Sequence, residues 1–228
     1  MRLPICAPLD KLLEGGLEAG AITNFYGPSG TGKSNIALLA AIAAVRAGKR
    51  VAFIDTEGGF SIERLTQMAE GPANAITDQV ILFEPRDWET QKETVRKLDK
   101  VCTKENVGLV IVDSIVALWR ITVTDANATE VNRELATQLS VLANIARNKA
   151  IPVLITNQVY SDLTTGKVEM SARNIVKWWS KNIIELSHAG RTSIRTASIR
   201  KARSQAEDKS VEFEIAQNGL REPKFRLF

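Results

Sequence analysis

Residues 26–34 read YGPSGTGKS, set between the apolar stretch AITNF (21–25) and the run NIALLAAIAAV (35–45). Gly27-Pro28-Ser29-Gly30-Thr31-Gly32-Lys33-Ser34 matches the pattern G-x-x-x-x-G-K-[ST] between a short strand and a long helix. Glycines let such a loop wrap so that successive N–H groups face phosphate oxygens, and the helix that follows adds its positive end. In this pattern the lysine reaches the β- and γ-phosphates and the hydroxyl ligates Mg²⁺. The alternative is a glycine-rich turn without a ligand, but no turn needs lysine at that place.

Outward from this loop, apolar β-branched runs alternate with helical patterns. Strands are expected at 21–26, 50–55, 79–85, 108–114 and 151–159, and helices over about 34–47, 61–70, 87–105 and 130–149. Ser61 and Asp87 stand as N-caps, and Gly48 follows the first long helix. The early strands are apolar throughout, as in a parallel sheet covered by helices on both faces. The last three, at 182–187, 192–201 and 211–217, alternate and follow closely, which predicts an antiparallel extension at the sheet edge. The expected fold is α/β, a mostly parallel sheet flanked by helices with an antiparallel C-terminal extension. No linker, repeat or low-complexity tract divides the 228 residues, so one domain over 1–228 is expected.

Composition narrows the class. Charged residues are 25% and hydrophobic residues 44%, ordinary for a globular chain. The longest apolar run, Ile36 to Val45, is too short to span a bilayer, and no signal-like segment opens the chain, so no membrane partner and a cytoplasmic location are expected. Cys6 and Cys102 lack metal-ligand spacing and read as free thiols. Residues 1–166 carry 17 Lys/Arg against 19 Asp/Glu, and residues 167–228 carry 13 against 7, so the charge of +4 divides as −2 and +6. A basic C-terminal quarter points to a polyanion, or else to a solvated lysine-rich edge.

Three further strand ends carry chemistry. Asp113 follows four apolar residues in LVIVD, where a carboxylate at the crevice holds a water of a Mg²⁺ shell; the competing role is a turn cap. Glu57, in DTEGG, suits a general base about one water from a γ-phosphate, and is preferred over Asp55, which can bond the turn's own backbone. Thr156-Asn157-Gln158 closes another apolar strand and can read a γ-phosphate by hydrogen bonds, or simply satisfy the strand end.

Together these stretches resemble the RecA-like recombinase family in its archaeal and eukaryotic branch. The stretches are LDKLLEGGLEAGAITNFYGPSGTGKS, VAFIDTEGGFSIERLTQMAE, LVIVDS and ITNQV, in that order, and they extend over most of the chain. The resemblance implies ATP as ligand of Gly27–Ser34, Glu57 as water-activating glutamate, Asp113 as strand-end metal-site acid and Gln158 as γ-phosphate sensor. It also implies Arg64 and Gln67 against the adenine; guanidinium stacking on flat rings agrees for Arg64. Two loops, 119–128 and 160–173, would face DNA, most readily single-stranded, with phosphate contacts from Arg120, Lys167 and Arg173 and stacking by Tyr160. Lys201 and Arg203 in IRKARS would add phosphate contacts, while Trp178 and Trp179 are expected to pack.

The chain starts almost at the ATPase core, without a helix-hairpin-helix domain, and so resembles the short archaeal paralogs of that family. Weak or DNA-modulated ATP hydrolysis, a role beside a main recombinase of the same family and a nucleoid-associated location follow as expectations. Limited self-association is expected rather than long filaments. Two alternatives stand: an ATP-switched adaptor that docks on the partner recombinase, and a complete strand-exchange core.

Overall fold

The computed structural model describes residues 1–69, 71, 74–161, 168–203 and 207–223. In chain order the elements are β1 (Arg2–Leu3), α1 (Ala7–Leu12), β2 (Leu17–Glu18), β3 (Ile22–Tyr26), α2 (Lys33–Arg46), β4 (Arg50–Asp55) and α3 (Ile62–Met68). There follow α4 (Asn74–Thr77), β5 (Val80–Phe83), α5 (Trp88–Lys104), β6 (Val107–Asp113), α6 (Ala117–Thr122), α7 (Ala128–Lys149) and β7 (Val153–Asn157). The last are β8 (Val159–Ser161), β9 (Val168–Met170), α8 (Arg173–Trp179), β10 (Asn182–His188), β11 (Ile194–Lys201), β12 (Ser210–Ala216) and β13 (Gly219–Arg221).

Nine strands form one sheet in the order β13-β12-β11-β10-β3-β7-β6-β4-β5. From β5 to β10 neighbours run parallel; from β10 to β13 they run antiparallel. The antiparallel extension therefore begins one strand later than expected. β10 pairs parallel with β3 along Asn182–Glu185, because α8 provides the crossover that a parallel return needs.

The apolar strands divide their side chains between two cores. Phe53, Leu109, Ile111 and Leu154 join one core with α2 and α1, whereas Ile54, Val110, Val112 and Ile155 join the other with α5 and α7. Both sheet faces are thus covered, as the uninterrupted apolar runs predict. Residue choice also ends the helices where expected. Asp87 accepts the Thr90 N–H and Ser61 the Arg64 N–H, each a side-chain N-cap. After α2, Gly48 (φ 73°) and Lys49 return their N–H groups to Val45 and Ala44, a Schellman ending.

No helix among the described residues is long and apolar enough to cross a membrane. One packing expectation fails: Trp178 is 76% exposed, while Trp179 packs against the α7-side core. On α8, Val176 already occupies the inward face, and its position two residues earlier turns Trp178 away from it.

Candidate active site

The loop leaves β3 in the interior of the sheet and enters α2. Gly27 lies so close to β10 that a Cβ there would stand 2.2 Å from the Leu186 carbonyl oxygen. Gly30 and Gly32 adopt φ of 73° and 98°, which glycine supplies without strain. Thr31 donates its hydroxyl to the Pro28 carbonyl at 2.8 Å, and Arg195 on β11 donates Nε to the Gly30 carbonyl at 2.9 Å. The first turn of α2 contains no acidic residue and no side-chain cap, leaving its positive end for an anion. Lys33 donates Nζ to the Gly27 and Pro28 carbonyls, each at 2.8 Å, so its ammonium sits over the loop. Burial lowers its pKa, opposed by the nearby Glu57 and Asp113 carboxylates.

Two acids end adjacent parallel strands, with Asp55 opposite Asp113 in register. Asp113 is buried, accepts a short hydrogen bond from the Thr156 hydroxyl and is also bonded by Ser34. Burial raises its pKa; the two hydroxyls lower it, and the Glu57 and Asp55 charges add to the rise. Asp55 has a different task. Its Oδ1 accepts the N–H groups of Glu57 and Gly59, both at 3.1 Å, and its Oδ2 that of Phe60 at 2.7 Å. It builds the turn that presents Glu57, the role that set it behind Glu57 as a candidate base. Thr56 bonds the Ser114 carbonyl and N–H through its hydroxyl at 2.7 and 3.0 Å, fastening this turn to the end of β6.

Glu57 is exposed and accepts from Gln158 Nε2 at 2.8 Å, and Gln158 Oε1 in turn accepts a short bond from Arg120. Gly27, Lys33, Ser34, Glu57, Asp113 and Gln158 all line one cleft of about 400 Å³. Its lining combines the glycine loop, one ammonium, the Ser29 and Ser34 hydroxyls and two carboxylates. That donor set suits a polyphosphate with a divalent cation. Among the described residues no cluster of three or more His, Cys, Asp or Glu could cage a metal by itself.

The remaining expected residues are distributed differently. Arg64 does not line this cleft. Its guanidinium edge donates to Asn35 Oδ1 at 2.9 Å, to Gln67 Oε1 at 3.0 Å and to the Gln217 and Ala216 carbonyls at 2.6 and 2.8 Å, tying α3 to the β12–β13 turn. These bonds engage the edge of the guanidinium. Asn35, which lines the cleft, is the link between Arg64 and the phosphate loop.

Tyr160 is 44% exposed on β8, and Arg173 is exposed and paired with Glu169 at 3.0 Å. Arg203 pairs with Glu18 at 3.1 Å. Lys201 departs from the role of a free phosphate contact: its Nζ donates to the Lys177 and Ser180 carbonyls at 2.7 and 2.8 Å and closes the C-terminal end of α8. Lys167 lies outside the described residues. Arg195, Thr56 and Asn35 escaped the sequence reading. Arg195 follows the in–out alternation of β11 like any surface residue, and only the β10–β11 pairing brings it to the loop.

Comparison with known proteins agrees with this fold. The family model described as Rad51 matches residues 5–222. A DNA repair and recombination protein RadB of Methanococcoides burtonii is 42% identical over 220 residues, covering 96% of this chain and 96% of its own. One of Methanobrevibacter smithii is 38% identical over 224 residues, covering 96% and 95%. A crystal structure of the RadB recombinase superposes with a TM-score of 0.83 at 34% identity, over 96% of this chain and 98% of that one.

Proposed function

The chain belongs to the Rad51 family, and on that premise we propose that it is an ATP-dependent recombinase paralog of homologous recombination and DNA repair. It acts as a single cytoplasmic, nucleoid-associated ATPase unit that contacts single-stranded DNA beside a main recombinase. The observation that carries this reading is the meeting of Lys33, Glu57, Asp113 and Gln158 in one cleft, although they come from four separate segments.

In this reading the amides of 27–34 and the Lys33 ammonium hold the triphosphate, while Arg64 and Gln67 lie against the adenine. The Ser34 hydroxyl and, through a water, Asp113 would hold Mg²⁺, which would supply neutralisation of charge on the phosphate oxygens. Glu57 takes a proton from the attacking water as the water oxygen bonds to the γ-phosphorus and the bond from that phosphorus to the β–γ bridging oxygen breaks, its electron pair leaving with ADP and the γ-group leaving as phosphate. Asp55 and Thr56 fix where Glu57 stands.

Gln158 connects that base to Arg120, which with Tyr160, Arg173 and Arg203 is assigned to DNA. A phosphate that draws Arg120 away releases one bond on Gln158, giving DNA a route to the rate of hydrolysis. ATP turnover measured with and without single-stranded DNA tests this: a DNA-dependent rate supports it, and identical rates with no detectable DNA affinity refute it.

A further inference from the structure

The exposed indole of Trp178 stands between two shallow concavities. One, of about 470 Å³, is lined by Asn174, Lys177, Lys181 and Lys201 together with Trp178 itself. The other, of about 190 Å³, includes Arg147, Trp179 and Lys181. Neither lining contains an aspartate or a glutamate. Among the described residues, Arg147, Lys177 and Lys181 form no ion pair. Lys201, while closing α8, adds a further ammonium, and Lys181 and Lys177 help burial to lower its pKa. Lys177 also borders a third concavity, but there the charges are matched: Glu169 pairs with Arg173, and Glu185 and Asp208 pair with Arg200. The unpaired cations are thus confined to the ridge around Trp178, with Lys177, Lys181 and Arg147.

Two unfavourable features meet here: like charges crowd without counter-charge, and a large aromatic face remains in water. A compact anion answers only the first. An acidic peptide has charges but no repeated flat faces, and a duplex keeps its bases stacked inside. Single-stranded DNA offers both regularly spaced phosphates and bases free to stack. We propose that Trp178, with Lys177, Lys181 and Arg147, forms a stacking-and-phosphate site for single-stranded DNA, separate from the α6 and β8–β9 loops. This rests on the reading that the chain contacts DNA, and extends the DNA path along α8.

The test is titration of the full chain with a thymidine oligonucleotide over a series of salt concentrations, read by tryptophan fluorescence and by anisotropy of a labelled strand. Trp178→Ala is expected to weaken affinity by about 5- to 150-fold, the value of one stacked base, and to remove most of the quenching. Lys177→Ala with Lys181→Ala is expected to reduce the slope of log K against log salt by about 1.4. ATP binding by both variants should match the parent, because none of these residues lines the phosphate cleft.

Parent-like DNA affinity in Trp178→Ala, beside loss in Arg120→Ala with Arg173→Ala, overturns the α8 site and leaves DNA contact by the loops standing. Absence of any DNA binding by the parent chain overturns both. Quenching by phosphatidylserine vesicles with none by the oligonucleotide, or a fall in assembly mass in Trp178→Ala at unchanged DNA affinity, assigns the ridge to a membrane or to a second copy and equally overturns the proposal.

Discussion

Gln158 donates Nε2 to Oε1 of Glu57 across 2.8 Å, joining the end of β7 to the turn that follows β4. A neutral amide thereby holds the carboxylate assigned to the attacking water. Replacing Glu57 with Gln keeps the shape and removes the basicity. Glu57→Gln is expected to bind ATP like the parent and to lose about 10²–10⁴-fold in turnover, measured by phosphate release. Parent-like hydrolysis would remove Glu57 from that role.

Asp55 supports Glu57 rather than replacing it. Its carboxylate accepts three main-chain N–H groups of the 57–60 turn from a buried position. Asp55→Ala leaves those donors without their acceptor and is expected to cost about 1–3 kcal/mol of stability by denaturant titration. Turnover should fall with it while ATP affinity changes less, because the phosphate loop itself does not depend on this turn.

Two glycines separate steric closeness from backbone strain. Gly48→Ala places a methyl in open space at φ 73° and should cost about 1–2 kcal/mol. Gly27→Ala drives its methyl to 2.2 Å from the Leu186 carbonyl, across the parallel β3–β10 pair. Its cost should exceed that of Gly48→Ala, at about 3 kcal/mol or more, in parallel thermal melts. Equal melting temperatures would mean that β10 does not pass so near the loop.

The cysteines give a pH dependence. Burial pushes Cys6 up to about 12 and Cys102 up to about 11, from an ordinary 9.0. At pH 8 both thiols should react far more slowly with iodoacetamide in the folded chain than after unfolding. The unfolded state releases these protons first as pH rises. Stability contributed by the neutral thiols is therefore present below pH 9 and declines through about pH 9–12, while Cys→Ser variants should show a flatter decline.

Much of the site was legible because its residues mark strand ends. A glycine loop with Lys33 between strand and helix, and a lone acid closing an apolar run at Asp113, have few packing explanations. The same logic carried the two-faced burial of β4, β6 and β7. What escaped depends on contacts between distant segments. Arg195 reaches the loop from 165 positions away in sequence, and Thr56 acts on Ser114 from 58 away. Lys201 and Trp178 exchanged their expected roles for a related reason. On a short helix the burial of Val176 and the position of the C-terminal carbonyls decide which side chain is outward and which cation is engaged. Composition contains neither fact.

Titration calorimetry of ATP with Mg²⁺ into the parent chain and into Lys33→Ala addresses the central claim most directly. Saturable one-site binding by the parent, lost in a variant that melts at the parent temperature, is the expected result. No heat of binding in the parent, or equal affinity in the folded variant, would contradict it.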